Sequence, residues 1–368
     1  MLVVSLQQFE RLASPGAFPF PLLKSSGPFL MELYKRWIDR WETKLATRDT
    51  NRLVRPFEWG FDWLPSEPLD PADPAAAMSA YAARAIAASD DFFRHTTPST
   101  FDFAAGKLTF QSSVDTPHPE NNLVHARFFP AANDRGRAVL VLPQWNSDSE
   151  GHIGLCRLLN KFGISALRMS KAYHDIRRPV GVERADHHMS ANIGRTTSAM
   201  RQSILDARCC LDWLEAQGYQ RLAMLGTSLG SCIAFITAAH DTRLTAGVFN
   251  HVSMHVADVV WTGISTRHVR AGFEGHVSQD ELRRYWAPIS PATYLDRMSQ
   301  RRLPSLLVWA RYDTTFLPEF SRQVLDRFRS LDLPHKVMCL PCAHYTTGQF
   351  PFNWMDGLGM CRFLARTL

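Results

Sequence analysis

From about residue 105 onward, apolar residues come in short runs separated by amphipathic stretches. Residues 138–142 (AVLVL) are apolar throughout, as a strand covered on both faces must be. Similar runs at 164–169, 221–225, 246–250, 305–310 and 335–340 predict further strands. Helical spacing predicts helices over 154–162, 198–217, 228–240, 318–330 and from the last strand to residue 368. Strands alternating with helices specify an α/β class with a mostly parallel central sheet and helices on both faces. Segments 107–112 and 123–129 read as an antiparallel pair ahead of it, and 251–300 reads as irregular with helical pieces.

Upstream the rhythm differs. Leu30, Leu33, Tyr34, Trp37, Ile38, Trp41 and Leu45 recur at helical spacing with Lys35, Arg36, Arg40 and Lys44 between them. The aromatic stripe is expected to pack on the main domain, and a basic amphipathic helix of this kind can also lie on a membrane. A proline-rich linker at 65–74 and an alanine-rich helix over 75–93 follow. The chain thus divides into a mainly helical extension, 1–104, and an α/β domain, 105–368.

Candidate chemistry lies at the end of the 221–225 run. Gly226-Thr-Ser228-Leu-Gly230 is a G-x-S-x-G motif between an apolar strand and an apolar helix, the setting in which the motif carries meaning. A tight strand-to-helix turn strains the serine backbone and holds Oγ at the carboxyl edge of the sheet. The helix beginning there directs free N–H groups and its positive end at the same point, making the Leu229 N–H one candidate oxyanion donor. A hydroxyl needs a base. His344, in a loop directly after the 335–340 strand, is the candidate, ahead of His335, which opens that strand. Asp313, just beyond the 305–310 strand, is the candidate acid that orients it. Asp258, after the preceding strand, is the alternative. The loop after the AVLVL strand, Pro143-Gln-Trp-Asn-Ser, offers the second oxyanion donor, Trp145 N–H first and Gln144 N–H second.

Composition adds exclusions. With 368 residues, 45 % hydrophobic and 21 % charged, the chain can bury a large core. The net charge of +6 is scattered, with no basic run for nucleic acid. No run of about 18 apolar residues reads as a membrane span, and the opening residues lack the basic start of an export signal. The seven cysteines are dispersed in apolar patterns, which points to reduced, buried thiols and a cytoplasmic location. Cys339-x-x-Cys342 is a lone pair, and neither Asp186-His187-His188 nor His251-x-x-x-His255 suggests a third metal ligand. Nucleotide-binding glycine motifs are absent, so no cofactor and no metal is expected.

The GTSLG elbow, Arg311-Tyr-Asp313 and Cys342-Ala-His344-Tyr-Thr-Thr-Gly348 together resemble the triad positions of the α/β-hydrolase superfamily, over about the last 260 residues. The detail is similar to a bacterial serine-esterase branch with a helical N-terminal extension. The resemblance implies a cap insertion at 251–300, in which Trp261, Phe273, Tyr285 and Trp286 could wall a substrate cavity. Tyr173, His174 and Asp258 are further candidate pocket residues. It also implies a serine esterase acting on a small-molecule or lipid-like ester through Ser228, His344 and Asp313. Alternatives are C–C bond hydrolysis by the same triad and lipid ester hydrolysis at a membrane surface, and a homodimer is compatible with the pattern. Here Pro-Gln-Trp-Asn-Ser stands where the superfamily often has His-Gly.

Overall fold

A computed structural model describes residues 28–64 and 72–368, so most of the expected linker lies outside the described residues. The alternation of apolar runs becomes one sheet with strand order β1-β2-β3-β5-β4-β6-β7-β8-β9. Its strands are β1 (Asp102–Ala104), β2 (Lys107–Gln111), β3 (Leu123–Phe129), β4 (Arg137–Leu142), β5 (Ser165–Met169), β6 (Arg221–Thr227), β7 (Leu244–Asn250), β8 (Ser305–Ala310) and β9 (His335–Leu340). β1, β2, β3 and β5 pair antiparallel in succession, and β5-β4-β6-β7-β8-β9 are parallel. The sequence pattern misses β1 because this edge strand is exposed along its length and buries no apolar face.

Successive side chains of a strand point to opposite faces, so an all-apolar strand serves two cores. Leu140 and Leu142 of β4 enter one apolar cluster, and Val139 and Val141 enter the other. The first is covered by α4 (Ile193–Ala216) and α5 (Leu229–His240); the second by α3 (Ile153–Lys161) and α11 (Phe352–Thr367). α4 starts five residues earlier than the apolar pattern predicts, because Asn192 Oδ1 accepts the Arg195 N–H at 2.7 Å as an N-cap.

α1 (Pro28–Ala46) lies against the second core, where Ile38 is fully buried and Trp41 meets Phe352. Its aromatic stripe is only partly covered, since Leu33 and Trp37 are 45 % and 51 % exposed. α2 (Pro74–Ala87) joins the first core. Between β7 and β8 run α6 (Val256–Thr262), α7 (Arg267–Phe273), α8 (Gln279–Tyr285) and α9 (Leu295–Arg301), joined by short 3₁₀ turns. α10 (Pro318–Ser330) links β8 to β9.

The aromatic residues expected to wall a cavity do otherwise. Phe273, Tyr285 and Trp286 are buried in the first core, and Trp286 Nε1 donates to Ile193 O at 3.2 Å. An indole in an apolar site needs that acceptor, which α4 supplies.

Candidate active site

The turn from β6 into α5 holds Ser228 at φ 56°, ψ −123°, a backbone region that L residues rarely adopt. The two glycines of the motif make the turn possible. A Cβ on Gly226 would lie 2.2 Å from Gly230 O, and one on Gly230 would lie 2.3 Å from Leu142 O. Ser228 N donates to Asn250 O at the end of β7 (2.7 Å), which ties the elbow to the neighbouring strand.

Ser228 Oγ lies 3.0 Å from His344 Nε2, and His344 Nδ1 lies 3.0 Å from Asp313 Oδ2. Asp313 Oδ1 accepts the N–H groups of Thr315 and Phe316 at 2.8 and 2.7 Å, which fixes the carboxylate plane. The Phe316 ring stacks on the imidazole, with centroids 5.3 Å apart. Burial disfavours charge on Asp313, but His344, the hydrogen bonds it receives and His251 outweigh this and hold its carboxyl well below the usual range. Burial likewise disfavours the His344 imidazolium. Asp313 and then Glu42 overcome that cost, leaving the imidazole above its ordinary value.

Leu229 and Trp145 have no hydrogen-bond partner for their backbone N–H groups among the described residues. Buried Lys171 donates to Pro143 O at 2.8 Å and to Gln144 O at 3.0 Å. Across a trans peptide the N–H points opposite the carbonyl, so this grip turns the Gln144 and Trp145 N–H groups away from Lys171. The Trp145 indole is anchored by its Nε1–H to Ala185 O (3.1 Å) and stacks on His268.

Two spaces meet at Ser228. One is a cavity of about 1350 Å³ with a mixed lining, which includes the apolar Leu155, Leu158 and Met360 as well as His152, His344, Arg157 and Arg184. The other, about 40 Å³, is apolar, between Trp145, Met189, Leu229, Val256, Val259, Val260 and Phe316.

The remaining expected pocket residues lie elsewhere. Asp258 is buried against Arg283 and Gln279, whose side chains donate to its Oδ1 at 2.5 and 2.9 Å, so it orients no imidazole. Tyr173 and His174 are buried behind the β5 loop, the first among Trp63, His118 and His187, the second donating from Nδ1 to Ala172 O. Trp261 lines neither space at Ser228; the Arg270 guanidinium covers its ring.

Two groups that the sequence reading passed over, Lys171 and Glu42, and His251, which it weighed only as a metal ligand, lie at this site. His251 Nδ1 is 3.0 Å from Asp313 Oδ2 without the alignment of a hydrogen bond, and its ring packs edge-on against His344. Burial holds the His251 imidazole below its ordinary value. Asp313, His251 and His344 are the described group of ligand-type side chains with atoms within 4.8 Å of one another. His344 directs one nitrogen to Asp313 and the other to Ser228, so both of its ring nitrogens are engaged. The cysteines are free and all buried except the half-buried Cys339, and no described helix is long and apolar enough to cross a membrane.

Behind Ser228, Asp356 accepts from Asn250 Nδ2 at 2.7 Å, while its Oδ1 has no partner among the described residues. Burial raises its carboxyl to about 7. The folded state therefore favours the protonated acid. That contribution is complete below the unfolded value near 3.8 and is lost as pH rises through about 7. Asp356→Asn should then melt somewhat above the wild type at pH 5 and further above it at pH 8, and differential scanning calorimetry at the two pH values checks this.

No protein-family model matches the chain, and no curated protein matches its sequence. Solved structures do match. Uncomplexed acylaminoacyl peptidase from Pyrococcus horikoshii superposes with TM-score 0.55 at 14 % identity, covering 76 % of this chain and 43 % of that one. Its orthorhombic form gives TM-score 0.54 at 13 % identity over 73 % of this chain and 42 % of that one, so the chain spans under half the length of this peptidase. A lipase in an open form gives TM-score 0.51 at 13 % identity, covering 70 % of this chain and 97 % of that one. At such identities the likeness is one of architecture, and the chain has the α/β-hydrolase fold.

Proposed function

We propose that the protein is a serine hydrolase that cleaves carboxylic esters through an acyl-enzyme. The observation that carries this is the unbroken relay of 3.0 Å contacts from Ser228 Oγ to His344 to Asp313 at a strained elbow. His344 Nε2 takes the hydroxyl proton as Oγ attacks the carbonyl carbon. Negative charge moves to the carbonyl oxygen, which the N–H groups of Leu229 and Trp145 receive, each contributing about 3 kcal/mol in sites of this kind. The imidazolium, steadied by Asp313, protonates the leaving alkoxide. Water then gives a proton to His344 and attacks the acyl carbon; the second tetrahedral species collapses, releasing the acid and returning the proton to Oγ.

The unequal spaces at Ser228 favour an ester with one small apolar substituent and one large one. Fluorophosphonate labelling with peptide mapping tests the nucleophile, with the adduct expected on the Ser228 peptide. A panel of esters, amides and β-diketones tests the bond cleaved. Esters short on one side should turn over faster than esters long on both, and a flat profile or faster diketone cleavage would overturn that preference. Lipid ester hydrolysis at a membrane surface is a second reading, favoured by the exposed Leu30, Leu33 and Trp37 beside Lys35, Arg36 and Arg40 on α1. Sedimentation with anionic vesicles tests it; protein left in the supernatant removes it.

A further inference from the structure

Glu42, on α1, has no solvent exposure. Its carboxylate accepts the Tyr345 N–H at 2.9 Å (Oε1) and 3.0 Å (Oε2), and the Thr346 N–H at 3.0 Å (Oε2). These are the two N–H groups that follow His344, at the start of a short 3₁₀ turn where no backbone acceptor reaches them. At the other end of the same loop, Tyr34 of α1 donates its hydroxyl to Pro341 O at 2.5 Å. One face of α1 therefore grips the histidine loop on both sides of His344. Arg52, just beyond α1, adds a third hold. It donates to the Tyr345 hydroxyl at 3.1 Å and to Ser265 O at 3.0 Å, bridging the loop to the segment between β7 and β8.

We propose that Glu42 is a positioning residue for His344. It fixes the imidazole through the Tyr345 and Thr346 N–H groups and sets a second carboxylate beside it. This rests on the reading of His344 as the general base. Burial raises the Glu42 carboxyl above its ordinary value, and the Tyr345 and Thr346 N–H groups with the His344 charge offset part of that cost. The carboxylate in turn gives the imidazolium formed in catalysis a partner besides Asp313. The ionisable groups facing His344 are Asp313 and His251 from the ends of β8 and β7, Glu42 from α1, and Tyr345 from its own loop. Of these, Glu42 alone comes from the region before the sheet. On this inference the N-terminal helix completes the catalytic site and is more than a cover for it.

Glu42→Gln and Glu42→Ala in the full chain test the proposal, with Glu42→Asp as the charge-retaining control. Imidazole titration by NMR, with His344 assigned by its loss in His344→Gln, reads the electrostatic part independently of turnover. Glu42→Gln should lower the His344 midpoint by about one pH unit, the expected effect of losing a carboxylate at this range in a buried site. It should also cut kcat and the fluorophosphonate labelling rate by about tenfold with KM little changed, as for a misplaced general base. Glu42→Ala should do more, and Glu42→Asp should recover the midpoint. A folded Glu42→Gln with the wild-type midpoint and labelling rate overturns the proposal. If the wild type never labels yet the midpoint moves in Glu42→Gln, the hydrolase reading falls and the placement of Glu42 stands.

Discussion

Ser228→Ala should abolish ester turnover and fluorophosphonate labelling together while the thermal transition stays close to that of the wild type. On the proposed mechanism the hydroxyl is the atom that attacks, and the nearby hydroxyls are held elsewhere, that of Ser231 by Ser228 O and His251 O. Thr227, the adjacent hydroxyl, is held by His152 Nε2 at 2.9 Å, away from the relay. Loss of the nucleophile in a serine–histidine relay typically costs about 10⁶-fold in kcat, leaving only what the oxyanion donors and binding supply. The fold should tolerate the change because the special backbone of the elbow is imposed by Gly226, Gly230 and the Ser228 N–H bond to Asn250, none of which the substitution touches. The removed Oγ takes part in one hydrogen bond with another residue, to His344. Steady-state turnover of purified protein, with calorimetry alongside, is the check. Turnover above about a hundredth of the wild-type rate, far beyond what such a deletion leaves, would mean that chemistry runs through another group.

The sheet and its elbow could be read from sequence because they follow from local rules. A strand buried on both faces must be apolar at every position, as 138–142 is, and a turn as tight as the one at Ser228 must carry glycines at 226 and 230. Asp313 and His344 were legible as candidates because each lies a few residues past a predicted strand of the parallel part of the sheet. What stayed hidden depends on contacts between residues far apart in the chain. Glu42 sits among Lys44, Arg40 and Thr43 and reads as part of a solvated face, since its partners lie 303 and 304 positions later. Lys171 reads as a surface lysine until β5 brings it under the Pro143–Gln144 carbonyls. Asp258 errs in the opposite sense. It follows a strand as a catalytic acid should, but Arg283, on a helix packed beside it, claims its carboxylate. Tyr173 and His174 follow the same logic. The edge of the sheet was the right place, but side-chain direction is set by packing that spacing does not encode.

That distinction between position and partner makes Asp313→Asn the second large expected effect, a fall in kcat of about 10⁴-fold with the fold intact. The argument is one of hydrogen-bond polarity. Oδ1 of Asp313 receives two N–H groups, from Thr315 and Phe316, so an amide there must keep its oxygen on that side. Its NH₂ then faces His344 in place of Oδ2, where a donor meets a donor unless the imidazole changes tautomer. The changed tautomer accepts at Nδ1 and carries its proton on Nε2, toward Ser228 Oγ, and can no longer take the hydroxyl proton. His251 does not rescue the relay, because its Nδ1 approaches the same Oδ2 and has no contact with Ser228 among the described hydrogen bonds. Loss of the carboxylate also removes the main charge holding the His344 imidazole above its ordinary value, so the acid limb of kcat/KM should move to lower pH even as its plateau collapses. Asp258→Asn should leave kcat near the wild type and act on stability alone, by weakening the Arg283 contact. Paired pH–rate profiles of the two variants decide the matter. A crippled Asp258→Asn beside an active Asp313→Asn would move the acid away from the edge of β8 and break the relay on which the proposed chemistry stands.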